Sequence, residues 1–84
     1  MKTLTSAEAA SFLAVRSHYR VLKPFLGYVA GDELELFARL YDPHNAAWIW
    51  SFRRVGDGCA GDLTELADDD VPIIKALEAH LAPL

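Results

Sequence analysis

The sequence ELELFARLY, at residues 33–41, alternates between two sets of side chains. Its even positions hold only leucine and alanine, whereas its odd positions hold glutamate, phenylalanine, arginine and tyrosine. Successive side chains of a β-strand point to opposite faces of the sheet, so a period of two indicates a strand with one apolar face. This segment therefore predicts a strand at the centre of the fold.

Turn signals on both sides of this strand predict a β-meander. Gly31-Asp32 is typical of a two-residue hairpin turn. Asp42-Pro43-His44-Asn45 places aspartate and proline at the first and second positions of a second turn. Further strands are predicted at residues 25–30 and 47–55, and the latter is rich in aromatic side chains. Three antiparallel strands should therefore follow one another along the chain.

Helices are predicted at both ends of the chain. Thr5-Ser6-Ala7-Glu8 has the form of a capping box and predicts a helix from Ser6 to about Arg20. Its apolar stripe is Phe12, Val15, Tyr19 and Leu22. Asp70 is predicted to cap a second helix, whose stripe is Ile73, Ile74, Leu77 and Leu81. Residues 1–84 are thus predicted to form one α+β domain of order α-β-β-β-α. Its N- and C-terminal helices pack on one face of a three-stranded antiparallel sheet.

The second turn leaves two registers for its hairpin. A plain four-residue loop pairs Tyr41 with Ala46 and places the tryptophans on the less apolar face. A three-residue loop with a bulge pairs Asp42 with Ala46 and holds Asn45 in the left-handed conformation, which asparagine tolerates. We predict the bulged register, because it gathers the largest apolar side chains on the face that the helices can cover.

The predicted register divides the sheet into an inner and an outer face. On the inner face it places Leu34, Leu36, Ala38, Leu40, Trp48, Trp50 and Phe52. On the outer face it places Leu26, Tyr28, Phe37, Tyr41 and Ile49, beside Arg39 and an expected ion pair of Glu35 with Arg53. Five large apolar residues are more than the solvent face of a monomer usually exposes, so the outer face is predicted to bind a protein.

Charge is distributed unevenly along the chain. Residues 1–54 carry seven Lys/Arg and five Asp/Glu, a balance of +2, whereas residues 55–84 carry one Lys and seven Asp/Glu, a balance of −6. An acidic tail disfavours direct binding of nucleic acid and suits a partner with a basic surface. The single cysteine excludes an internal disulfide, and no signal peptide or long apolar run is found, so we expect a cytoplasmic protein without a membrane segment.

Residues that commonly carry chemistry do not form a recognisable pattern. The histidines, at 18, 44 and 80, lack the spacing of metal ligands, and Cys59 lies among acidic residues that disfavour a reactive thiolate. The acidic loop that contains Cys59 lacks the ligand pattern of a calcium loop. The sequence therefore predicts no cofactor, no metal site and no enzymatic activity.

The predicted function is a non-enzymatic protein–protein interaction module. It would be a small acidic inhibitor or adaptor, for example a virus- or mobile-element-encoded inhibitor of a host nucleic-acid-binding complex, and a homodimer through the sheet is a further expectation. The predicted partner-binding residues, from the outer face and the acidic segment 57–70, are Tyr28, Glu35, Phe37, Arg39, Tyr41, Ile49, Arg53, Asp62, Glu65, Asp68 and Asp69. The alternative is a ligand-binding or enzymatic domain with a pocket between the first helix and the sheet, lined by Arg16, Tyr19, Arg20, Trp48 and Trp50.

Overall fold

A computed structural model describes residues 3–84 as a five-stranded antiparallel sheet with three short helices. The elements are α1 (Ser6–Phe12), β1 (His18–Val21), β2 (Glu33–Asp42), β3 (Ala47–Arg54), β4 (Ala60–Thr64), α2 (Val71–Lys75), α3 (Leu77–His80) and β5 (Leu81–Pro83). The strand order is β4-β3-β2-β1-β5. The predicted three-stranded meander was wrong, because three short strands lie outside the segments predicted as strands.

Helix α1 begins at the predicted residue and ends much earlier than predicted. The capping box forms, with Glu8 N donating to Thr5 Oγ1 at 3.2 Å and Thr5 N donating to Glu8 Oε1 at 3.0 Å. The helix stops at Phe12, whose carbonyl oxygen accepts a hydrogen bond from the Tyr19 hydroxyl at 2.9 Å. The same hydroxyl accepts from Ala14 N at 2.8 Å, so Tyr19 binds the end of the helix from outside it.

Strand β1 replaces the second half of the predicted helix. Arg16 has a φ of 72°, a left-handed conformation that separates β1 from α1. Tyr19 and Val21 are buried, whereas Val15 and Leu22 are exposed, so the predicted helical stripe does not exist. Strand β1 pairs with β2 on one side and with β5 on the other, and these non-local hydrogen bonds decide the outcome over local helix propensity.

Residues 25–30 form a tight turn instead of the predicted strand. Leu26 and Gly27 both have positive φ, 52° and 82°, and Tyr28 N donates to Phe25 O at 2.8 Å. This geometry places Phe25 and Tyr28 side by side, and both point into the core. Tyr28 is therefore absent from the outer face on which it was predicted.

The hairpin of β2 and β3 adopts neither predicted register next to its turn. Asp42 pairs with Ala47 around a four-residue turn, and the left-handed residue is Ala46, with a φ of 50°, instead of Asn45. The Asp42 carboxylate accepts hydrogen bonds from His44 N at 2.9 Å and from Asn45 Nδ2 at 2.7 Å. These bonds hold the turn closed, and the Asn45 bond is the largest cause of the lowered pKa of Asp42.

A β-bulge lies in β2 at Phe37, inside the strand, and not at the turn where it was predicted. The register shifts between Leu36 and Ala38. Before the bulge, Leu36 lies opposite Phe52 and Glu35 opposite Arg53, as predicted. After the bulge, Ala38 and Leu40 lie opposite Ser51 and Ile49, and their side chains are on the outer face. The inner placement that was predicted for these two residues was therefore wrong.

The C-terminal third of the chain also differs from the prediction. The expected acidic loop contains β4, and the expected last helix is divided into α2, α3 and β5. Asp70 precedes α2, but its carboxylate does not cap that helix. It accepts instead from Thr64 N at 3.1 Å, which ties the start of α2 to β4.

The core lies on one side of the sheet. Its buried apolar residues are Leu4, Ala9, Leu13, Tyr19, Val21, Phe25, Tyr28, Leu34, Leu36, Trp50, Phe52, Leu63, Ile74, Leu77 and Leu81. Phe52 makes edge-to-face contacts with Tyr19 and Phe25, with ring centroids 6.5 Å and 6.1 Å apart. The inward placement predicted for Trp50 and Phe52 is confirmed, since both are fully buried. The apolar side chains of the helices fill this same core and leave the opposite face of the sheet to other contacts.

Candidate protein-binding surface

The outer face is the side of the sheet that points away from the core. Alternation along the paired strands assigns to it His18, Arg20, Glu33, Glu35, Phe37, Ala38, Leu40, Ile49, Ser51, Arg53, Ala60, Asp62, Thr64 and Ala82. The buried apolar residues of α1, α2 and α3 all belong to the core on the other side. The sheet therefore presents a broad side chain surface that these helices do not cover.

An apolar strip crosses the outer face near the β2–β3 turn. Leu40 is 61% exposed and Phe37 is 40% exposed, while Ala38 and Ile49 between them are half-buried. Leu40 and Ile49 are directly opposite one another on β2 and β3. Contiguous apolar side chains of this kind gain free energy when a partner removes them from water, at about 25 cal/mol per Å² buried.

A row of charged side chains runs beside the apolar strip. Arg53 donates to Glu35 Oε1 from both Nε, at 2.7 Å, and Nη2, at 2.6 Å. His18 Nδ1 lies 2.6 Å from Glu33 Oε2, and His18 Nε2 lies 4.0 Å from Glu35 Oε2. The Arg53 guanidinium also lies 5.3 Å from the centre of the Phe37 ring. These contacts orient Arg53 next to the apolar strip, where a polar group of a partner can meet it.

The structure brings together five of the predicted partner-binding residues. Glu35, Phe37, Ile49, Arg53 and Asp62 share the outer face, and the predicted Glu35–Arg53 ion pair is present. The bulge at Phe37 was the feature that sequence reasoning missed. Its signal is the adjacency of two large apolar residues at 36 and 37, which interrupts the alternation of the strand.

Arg39 and Tyr41 lie on the opposite face from the one predicted, because the bulge reverses the alternation after Phe37. Their side chains contact Trp48: the Arg39 guanidinium lies 5.2 Å from its ring centre, and the Tyr41 ring is edge-on with centroids 4.9 Å apart. Tyr41 is exposed and Trp48 is half-buried, so these two aromatic residues lie at the edge of the core, on the face that the helices cover.

The predicted acidic residues separate into two groups. Asp62, Asp68 and Asp69 are exposed, the first on β4 and the other two in the turn before α2. Glu65 is half-buried, and its Oε1 accepts from Trp48 N at 2.8 Å. Glu65 therefore extends the β3–β4 contact and is not part of an acidic surface.

A brace of charged residues closes the other end of the sheet. Arg54 donates to Asp57 from Nε at 3.0 Å and from Nη2 at 2.9 Å, and to Asp32 from Nη1 at 3.1 Å. The bond from Arg54, together with one from Cys59 N, lowers the pKa of Asp57 to about 2. The Arg54 guanidinium thereby joins the turn before β2 to the turn after β3.

Replacing Asp57 by asparagine is expected to make the free energy of unfolding depend less on pH between about 4 and 2. A carboxylate with a lowered pKa stabilises the folded state fully above its ordinary value of 3.8, and this contribution is lost as the pH falls through about 2. The variant lacks that carboxylate, so its free energy of unfolding should change less over this interval. Urea unfolding followed by tryptophan fluorescence measures the difference.

The matched control is Asp69→Asn, at an exposed aspartate outside the brace. Its curve should follow that of the unsubstituted protein. If the two variants gave the same curve, the brace would not contribute to acid stability.

One cavity of the structure lies elsewhere than the predicted ligand pocket. It has a volume of about 230 Å³ and is lined by Leu4, Thr5, Ser6, Glu65, Val71, Ile74 and Lys75. None of the five residues predicted to line a pocket between the first helix and the sheet is among them. Within residues 3–84, no three His, Cys, Asp or Glu side chains come together as metal ligands.

Comparison with protein-family models, curated proteins and solved structures found nothing that matches this chain. In the described part of the chain, no helix combines the length and the apolar character needed to cross a membrane. The functional interpretation therefore depends on the surface itself.

Proposed function

We propose that this protein is a non-enzymatic binding module that docks a protein partner on the outer face. The observation that supports the proposal is the apolar strip of exposed Phe37 and Leu40 with half-buried Ile49, beside the oriented Arg53–Glu35 pair. An apolar centre with an arginine next to it has the composition of an interface hot spot. An inhibitor or adaptor acts in this way, by occupying a surface of its target.

The partner that fits this surface carries a basic region beside an apolar one. Asp62 lies on the outer face, and Asp68 and Asp69 are exposed in the turn that follows β4. These carboxylates favour the approach of a positively charged surface and increase the association rate more than the affinity. A host complex that binds nucleic acid has such a surface, and the single cysteine suits a cytoplasmic site of action.

Phe37→Glu is expected to weaken partner binding without unfolding the protein. The ring is partly exposed on the outer face, so the new carboxylate remains hydrated in the free protein but must be desolvated in a complex. Affinity capture from the native host with quantitative mass spectrometry, using the unsubstituted and variant proteins side by side, measures the result. The captured amount of a specific partner should fall at least about tenfold with Phe37→Glu, which corresponds to a loss of about 1.4 kcal/mol in binding free energy.

Val29→Glu is the matched control, because Val29 is exposed in the turn before β2 and lies outside the outer face. It introduces the same charge and should leave the captured partner unchanged. Asp62→Lys should reduce capture mainly at low salt. Equal recovery of every captured protein by Phe37→Glu and by the unsubstituted protein would exclude the outer face as the docking surface.

A further inference from the structure

Strand β2 is much longer than the strand beside it. It runs from Glu33 to Asp42, and β3 pairs with it along almost its whole length. On its other side, β1 pairs only with residues 33–35. The last backbone bonds to that side are made by Leu36, which donates to Ser17 O at 3.1 Å and accepts from Arg16 N at 2.7 Å. Beyond this point, within residues 3–84, β2 has a strand partner on one side only.

The backbone groups that face this open side belong to Arg39 and Tyr41. Glu65 N donates to Trp48 O at 3.1 Å, so the backbone of Trp48 points towards β4 and away from β2. The N–H and C=O groups of successive residues in a strand point alternately to its two sides, so the backbone groups of Trp50 point towards β4 as well. Tyr41 and Arg39, which lie opposite these tryptophans, therefore direct their N–H and C=O groups away from β3. Within residues 3–84, no backbone hydrogen bond reaches the open side of either residue.

The outermost strands carry features that oppose further pairing, whereas the open part of β2 has a single charged residue, Arg39, among apolar and aromatic ones. On β4, Thr64 N is already bound by the Asp70 carboxylate, and Asp62 places a charge at the edge. Strand β5 has three residues and includes Pro83, which has no N–H. Residues 37–41 carry three large apolar or aromatic side chains, and all of them are exposed. Such an edge is a template for another strand.

We propose that a second copy of this chain pairs with the open edge of β2, antiparallel and about a two-fold axis at Leu40. Arg39 of each copy then exchanges backbone hydrogen bonds with Tyr41 of the other, and the two five-stranded sheets become one continuous sheet. The inference goes beyond the proposed function, because it concerns an edge of the sheet and a different partner.

Side-chain chemistry selects this register over its neighbours. Pairing Arg39 with its own copy would place two guanidinium groups side by side, which is unfavourable. Pairing Tyr41 with its own copy would bring Arg39 opposite Pro43, which cannot donate a hydrogen bond. Pairing Arg39 with Tyr41 places each guanidinium next to an aromatic ring and brings Leu40 opposite Leu40 on the outer face.

Analytical ultracentrifugation over a range of concentrations tests the pairing. An interface limited to a strand edge is small, so the unsubstituted protein should change from one to two chain masses as its concentration rises. Arg39→Pro removes the outward N–H without removing a β2–β3 bond and should remain at one chain mass. Ala60→Pro removes the corresponding outward N–H on β4 and should dimerise like the unsubstituted protein. A monomer at all concentrations, or a dimer lost only with Ala60→Pro, would overturn the proposal.

A charge exchange at Leu40 tests the two-fold axis without a proline. Leu40→Glu and Leu40→Lys should each be monomeric, since each places like charges opposite one another across the axis. An equal mixture of the two should form a dimer containing one chain of each kind. If the mixture stayed monomeric while both variants kept the circular dichroism of the unsubstituted protein, the proposed register would be wrong. Partner capture by Arg39→Pro shows separately whether the outer face acts in the monomer.

Discussion

Phe52→Ala is expected to destabilise the folded state by about 3–5 kcal/mol, the usual loss when a buried phenylalanine is truncated. The ring is fully buried at the centre of β3 and contacts both Tyr19 and Phe25 edge-to-face. Removing it leaves a cavity between side chains of β1 and of the turn at Phe25, which are held by their own contacts and cannot move in fully to fill the space. Small domains have about 5–15 kcal/mol of total stability, so the variant should be largely unfolded at moderate urea.

The control for this experiment is Phe37→Ala, which removes the same side chain from the outer face. The Phe37 ring is partly exposed and lies against the Arg53 guanidinium, so its loss should cost about 1 kcal/mol or less. Urea unfolding of both variants gives the comparison. Equal losses of stability would mean that the two phenylalanines share one environment and that the assignment of the two faces is incorrect.

Tyr19→Phe is expected to cost about 1–3 kcal/mol through the loss of a single oxygen atom. The Tyr19 hydroxyl donates to Phe12 O and accepts from Ala14 N, so it satisfies two backbone groups at the end of α1. Phenylalanine fills the same space and leaves both groups without this partner. Chemical denaturation measures the stability, and hydrogen exchange of the Ala14 amide should increase by more than that of amides in β3.

Tyr41→Phe is the matched control, because Tyr41 is exposed at the open part of β2. It should change the free energy of unfolding by no more than about 0.5 kcal/mol, as for most surface substitutions. A result in which Tyr19→Phe is equally mild would show that the hydroxyl does not hold the end of the helix.

The longest elements of the fold were predictable from the sequence because their patterns repeat several times. Leucine or alanine occupies every even position of residues 33–41, and the structure forms β2 there. Strand β3 was recognised from its aromatic residues, and the capping box located the start of α1 at Ser6. In each case the signal is local, so it does not depend on what the segment later contacts.

The short strands could not be predicted in the same way. Strands of three to five residues, such as β1, β4 and β5, are too brief to show a period. Phe12, Val15 and Tyr19 happen to match helical spacing, yet Tyr19 lies on a strand whose bonds come from Glu33–Glu35 and Leu81–Pro83. Those partners are distant in sequence, so pairing energy overrode a local pattern.

The candidate site was predictable only as far as the pairing of β2 with β3. Glu35 and Arg53 were placed opposite one another correctly, because their part of the hairpin keeps the predicted register. Arg39 and Tyr41 were misplaced, because the extra residue lies within the strand and not in the turn. The open edge of β2 was missed altogether, since it exists only because β1 is shorter than β2.

The bulge at Phe37 divides β2 into two halves, and residues of the same parity point to opposite faces of the sheet in the two halves. Its first half aims leucines at the core, and its second half aims Leu40 at solvent, although the two halves share one spacing in the sequence. A change of chain length by a single residue at this point would reverse the second half while the core half kept its contacts. Gain or loss of one residue, and not only substitution, is thus a route by which the exposed end of this sheet can acquire a different surface.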